Sequence, residues 1–239
     1  MFLTTKNIAD AFMISGVVKM PFKFLGSEVW LTTSALTTCL VTVMILIFVL
    51  LSRKFILNAV ANPLKAPSGM QNFLEFGIEA LGGMGDSVLG SNTPRFINYI
   101  GTIFMFILFS NLSGLLGLRA PTADYGITFL LGVMTFVIVQ FQNIKNNKFG
   151  AITSLFQPTP VLFPINLIGE FANPLSISLR LFANMLSGVI ILGLWYGMLP
   201  IFAKIGIPAA LHVYCDLFSG AIQTYVFCML SMVYINDKL

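Results

Sequence analysis

The sequence predicts an all-α integral membrane protein with about five membrane-embedded helices plus one interfacial amphipathic helix, the last two helices long and strongly tilted as a hairpin. Three observations predict it. Of 239 residues, 57% are hydrophobic and only 9% charged, against roughly 25% charged in a soluble domain, so lipid must cover much of the exterior. Several apolar windows reach the ~20 residues that cross ~30 Å of hydrocarbon. Two apolar stretches near the end are longer still. No repeat, low-complexity tract or linker divides the chain, and residues 1–239 read as a single membrane domain.

Within residues 1–29 there is no charged start leading into an apolar core and a small-residue cleavage site, so no removable signal peptide is expected. The first span is Trp30 to Leu51, residues 30–51, closed by Arg53-Lys54. Over 67–90, Met70, Phe73, Leu74, Gly77, Ile78 and Leu81 recur at helical spacing opposite Gln71, Asn72, Glu75 and Glu79. That pattern predicts a helix lying on the membrane surface or, equally, an amphipathic cover over a loop. Residues 96–142 form a two-helix hairpin. Its first helix is Phe96 to Leu118, bounded by Arg95 and Arg119, and its second is Tyr125 to Gln142, followed by a polar loop from Asn143 to Lys148.

Residues 155–235 hold the two long helices. From Leu155 to Met198 only Glu170 and Arg180 are charged, and from Pro200 to Ile235 only Lys204 and Asp216 are. A helix of about 40 residues would reach ~60 Å, twice the hydrocarbon thickness, so each must tilt, break or fold back. Pro164 and Asn173-Pro174 are the expected bends. Arg53, Lys54, Lys65, Arg95, Lys145, Lys148 and Lys238 fall on one side, and Lys6, Lys19, Lys23, Arg119 and Lys204 on the other. That excess predicts a cytoplasmic C-terminus.

Composition excludes several function classes. A net charge of +4 on scattered residues gives no stripe for nucleic acid. Cys39, Cys215 and Cys228 sit in apolar runs without ligand spacing and read as small hydrophobes. There is no phosphate loop, HExxH or GxSxG, and a single histidine makes no His-rich metal site. No cofactor, metal or catalytic site is expected.

The chemistry that remains is intramembrane charge. Arg180 lies in the middle of an apolar run, and a guanidinium cannot shed its proton to escape desolvation. Mid-membrane arginine costs at least about 2.5–3.5 kcal/mol, so such charges face a partner or water. At 100° per residue, Asn173 and Asn184 fall at about +20° and +40° from Arg180, and Ser176 and Ser187 at about −40° and −20°. Gly188, beside this polar stripe, offers a place for close backbone approach. A second stripe places His212, Asp216, Ser219 and Gln223 within about 60° of one another, with His212 and Asp216 spaced to touch. Small polar residues such as Ser176, Ser187 and Ser219 also serve as interhelical glue, and Glu170, His212 and Asp216 either transfer ions or form a satisfied buried network.

The run from Pro164 through Glu170, Asn173-Pro174, Arg180 and Asn184 to Gly188 closely resembles the signature of the F-type ATP synthase a subunit. The resemblance extends upstream through Pro67 to Glu75 and Asn111, and downstream to Gln223, over roughly residues 35–235. It implies an ion-translocating stator subunit beside a rotor c-ring and peripheral-stalk b subunits, in a bacterial cell (inner) membrane. It also implies that Arg180 separates two half-channels that load and unload H+ or Na+ on ring carboxylates. Asn184, Gln223 and Glu170 match further family positions. Where the family often has Glu or His, this chain has Val189, and Asp216 stands at the paired position, so Asp216 with His212 is expected to compensate. The alternatives are a self-contained secondary transporter or channel, which usually shows repeat-related halves, and an intramembrane enzyme using His212 and Asp216, for which no nucleophile or metal partner is visible.

Overall fold

A computed structural model describes residues 16–24, 27–61, 69–116, 118–147, 163–198 and 207–239. Among the described residues five helical stretches are long and apolar enough to cross a membrane, as the sequence predicts. In chain order the α-helices are α1 (Thr33–Ala61), α2 (Gly69–Leu89), α3 (Thr93–Leu112), α4 (Tyr125–Asn147), α5 (Phe163–Met198), α6 (Ile207–His212) and α7 (Gly220–Asn236). A π-helical segment, Val213–Ser219, joins α6 to α7 without a break.

Ahead of the helices, β1 (Gly16–Phe24) pairs antiparallel with β2 (Ser27–Thr32). This hairpin lies outside the all-α membrane part and takes Trp30, expected to open the first span. Its Val, Phe and Trp residues favour extended backbone, and the span starts at Thr33 instead. Most of the stretch with no expected leader, Lys65, Lys148 and residues 155–162, expected to open the first long helix, lie outside the described residues.

Three boundaries depart from expectation. Helix α1 runs past Arg53-Lys54 to Ala61, since long cationic side chains can reach the interface while their backbone stays helical. Residues Asn143 to Asn147 extend α4 where a loop was expected, because Gln142 Nε2 donates to Asn146 Oδ1 at 3.0 Å, one turn on. Helix α5 continues through Pro174, with Pro164 in its first turn, where a missing N–H is tolerated. Its 36 residues span about 54 Å.

Between α2 and α3, Gly90 has φ +53°, a left-handed conformation that suits glycine. The core is built at helical spacing: Phe96, Ile100, Ile103 and Ile107 of α3 pack with Leu131 and Val139 of α4, Ile177 and Leu181 of α5, and Phe227, Met232 and Ile235 of α7. Outside it, large apolar side chains such as Leu50 (64% exposed) and Phe73 (65%) face outward. That inversion of the soluble pattern places these helices in lipid.

Gly132 fixes the contact between α4 and α5. A Cβ there would lie 2.7 Å from the Pro174 carbonyl oxygen and 3.1 Å from Ser178 Cβ, so only glycine lets the helices approach this closely. Gly132→Val should push them apart and lower stability by about 1–3 kcal/mol, read as a lower thermal unfolding midpoint in detergent.

Candidate functional site

Arg180 is exposed on the outer face of α5. Among the described residues it makes no hydrogen bond or ion pair. Asn173, Ser176 and Ser187 share its exposure, as do Gly169, Ala172 and Ala183. Between Gly169 and Ser187 the exposed positions within about 80° of Arg180 therefore carry only small or short polar side chains, and larger apolar ones, Ile165, Ile190, Ile191 and Leu194, flank them nearer the helix ends. Among the described residues, nothing covers that face closely enough to bury it.

Asn184 is half-buried and turns toward the next helix: Ser219 Oγ donates to its Oδ1 at 2.9 Å. Its amide nitrogen is buried without a partner among the described residues. Gly188 is buried, and a Cβ built on it would lie 3.3 Å from Cys215 Cβ, which is the close approach that glycine permits. Ser187 Oγ returns to the Asn184 carbonyl at 2.8 Å.

Two cavities lie along α5 on either side of Arg180. The first, about 50 Å³, is lined by Glu170, Asn173, Gln140, Thr135, Tyr234 and Lys238, among others. Gln140 Nε2 donates to Glu170 Oε2 at 2.6 Å, and Lys238 Nζ lies 2.7 Å from Oε1. The second, about 240 Å³, is lined by Val189, Met185, Arg119, Gly114, His212 and Asp216, among others. His212 Nδ1 lies 2.7 Å from Asp216 Oδ2. At 1.5 Å per residue, Glu170 lies roughly 15 Å from Arg180 along the axis and Val189 roughly 14 Å the other way.

The π-helical segment carries Asp216. Segments of this kind cluster at functional sites because the widened turn redirects a side chain. Asp216 is 7% exposed. Gly114 makes room for it, since a Cβ there would lie 2.8 Å from Asp216 Cγ. Asn111 secures the far end of the segment: its Nδ2 donates to the Gly220 carbonyl at 2.9 Å and its Oδ1 accepts from Thr122 Oγ1 at 2.7 Å. Gln223 is buried on α7, and no hydrogen bond joins it to Arg180 among the described residues.

The structure thus gathers Asp216, His212 and Val189 at one cavity, Glu170 and Asn173 at the other, and Ser219 with Asn184 between helices. It adds residues that sequence reasoning left out. Gln140 and Lys238 join Glu170, while Gly114 and Arg119 join Asp216. Arg119 had counted only as a topology marker. Gln140, an amide inside an apolar run, was the one with a visible signal.

A family profile described as ATP synthase A chain matches residues 35–236. The chain belongs to this family. Among relatives, it is 40% identical over 192 residues to ATP synthase subunit a, sodium ion specific, of Propionigenium modestum, covering 72% of this chain and 64% of that protein. It is 38% identical over 188 residues to ATP synthase subunit a of Priestia megaterium, covering 72% and 80%. The match thus spans less than two thirds of the first relative's length. Family and apolar helices together make this A-chain relative a multi-pass membrane protein.

The Gly188 contact gives a direct check on the packing around Asp216. Disulfides place Cβ atoms about 3.5–4.5 Å apart, and the 3.3 Å approach to Cys215 lies just below that range, so a slight separation of the helices brings the pair into it. Gly188→Cys should cross-link to native Cys215 on mild oxidation. Cleavage between the two helices should then leave the fragments joined on a non-reducing gel and separated on a reducing one.

Proposed function

We propose that the chain is the ion-translocating stator subunit of a rotary F-type ATP synthase, with Arg180 separating two half-channels that serve a ring of c subunits. The observation that carries this reading is Arg180 itself, exposed, without a hydrogen-bond or ion-pair partner among the described residues, and placed between two carboxylate-bearing cavities on one helix. A permanent cation in that setting calls for an outside partner. The small residues around it suit the close approach of a partner helix.

The mechanism follows from charge. A ring carboxylate facing lipid must be neutral, because ionising it there carries a large desolvation penalty. Beside Arg180 the ionised form is stabilised. An ion arriving through one cavity neutralises the ring carboxylate, which can then enter lipid as the ring turns. After nearly a full turn it meets Arg180 from the other side and releases its ion into the second cavity. The guanidinium also repels any cation that would pass straight between the cavities. Each elementary charge crossing 100 mV releases about 2.3 kcal/mol, so several must pass for each nucleotide made elsewhere in the complex.

In this reading the Asp216 cavity faces the outside and the Glu170 cavity the cytoplasm, with a cytoplasmic C-terminus in a bacterial inner membrane. Asp216, with His212 one turn away, relays ions past Val189. Asn184 and Gln223 line the polar path on the two helices, and Ser219 holds Asn184 in place. Peripheral-stalk b subunits hold the chain against the turning ring. The transported ion is the cargo, H+ or Na+, and the chain needs neither a cofactor nor a catalytic site.

Arg180→Ala should abolish ATP-driven ion pumping in reconstituted vesicles while the complex still assembles with its ring, and pumping at the normal rate would refute the separator role. Asp216→Asn should slow pumping by about tenfold or more, the scale of general acid–base assistance. Adding Val189→Glu, which puts a carboxylate back into the same cavity, should recover part of that loss.

A further inference from the structure

The carboxylates of the two cavities have different partners. Asp216 faces the His212 imidazole, with Nδ1 2.7 Å from its Oδ2. Glu170 faces a lysine and an amide, so both its oxygens are engaged: Oε1 by Lys238 at 2.7 Å and Oε2 by Gln140 at 2.6 Å. The other titratable group lining that cavity is Tyr234.

The lysine is held at its backbone by α4 and partly exposed along its side chain. Asn146 Nδ2, from the end of α4, donates to the carbonyls of Lys238 at 3.2 Å and Leu239 at 2.9 Å. The Lys238 side chain is nevertheless 29% exposed, against 19% for Glu170. Thr135, on the same cavity, is only 2% exposed and marks its inner wall. Lysine is thus the more exposed partner of the pair, and Thr135 the most buried of these three cavity residues. A pair built only to hold two helices would be expected to seal the space beside it, yet here the space has room for water.

We propose that Lys238 is a tethered cation that gates the Glu170 cavity. With the ammonium on Glu170, the carboxylate is occupied by an internal cation and closed to one arriving from water. With the side chain swung outward, the carboxylate is open. A partly exposed ion pair is weak enough to open and close repeatedly, and the backbone clamp returns the ammonium to the same place. This deepens the reading of Glu170 as part of an ion path, and rests on it.

The test uses the assembled complex in membrane vesicles, with Cys39, Cys215 and Cys228 replaced by alanine and Thr135→Cys introduced as a reporter. The reaction of silver ion, a small monovalent cation, with that thiol is followed by protection from later alkylation. Removing a unit charge a few ångströms from the path should accelerate the reaction by about tenfold or more in Lys238→Met, while Lys238→Arg stays slow. The small neutral reagent methyl methanethiosulfonate should be far less affected, and equal acceleration of both reagents would overturn the gate by showing lost packing rather than lost charge. Equal silver rates with and without Lys238 would overturn the gate and leave the cavity as a water path. No silver reaction in any variant would remove the path and the gate together.

Discussion

A guanidinium that cannot be neutralised, held on the outer face of a membrane helix, is the constraint around which the rest of the structure is arranged. Burying Arg180 against its own core would need a carboxylate within reach, and among the described residues none pairs with it. Exposing it to acyl chains alone would cost at least about 2.5–3.5 kcal/mol. The exposed positions within about 80° of it, from Gly169 to Ser187, resolve this by carrying glycine, alanine, serine and asparagine rather than leucine or phenylalanine. Such a face stabilises little on its own and becomes useful when another helix comes close.

Holding that face outward requires the opposite face to be fixed firmly. Ile177 and Leu181 enter the core, Gly132 admits the Pro174 carbonyl, and Gly188 admits Cys215. These contacts leave helix α5 little freedom to rotate about its axis, since a turn of one residue would swing Arg180 by about 100°. The buried Asp216 depends on similar economy of space. It sits against a glycine, is met by His212, and belongs to a π-helical segment whose end is tied to Asn111. Stability and site geometry are therefore carried by the same small residues.

Much of this was legible in the sequence because it is local. One helix with one period decides which residues share the face of Arg180, so Asn173, Ser176 and Ser187 could be placed from spacing alone. Apolar runs likewise marked five spans. Long-range partners were hidden. Lys238 meets Glu170 across 68 positions, and no spacing rule reaches that far. Arg119 read as a marker of topology because its charge closes a span, and only the fold turns it toward Asp216's cavity. The π-helical segment was invisible for a different reason, since a wheel drawn at about 100° per residue assumes the α-helical period that the segment abandons. Trp30 misled as an apolar residue beside an apolar run, although its β-favouring neighbours carried the hairpin signal.

The spacing of the two cavities follows from helix geometry and the bilayer together. Glu170 and Val189 are separated along α5 by about 28 Å, close to the ~30 Å of hydrocarbon that a spanning element must cross. The pockets themselves come closer, since the first reaches Ile177 and the second Met185, about 12 Å apart along the axis with Arg180 between them. The arginine between them then needs no gate of its own to keep them apart, because the distance and the charge act together. A shorter helix would bring the pockets into one continuous pore. A longer separation would leave each pocket stranded near its own surface, out of reach of Arg180. The length of α5 is in this sense part of the site.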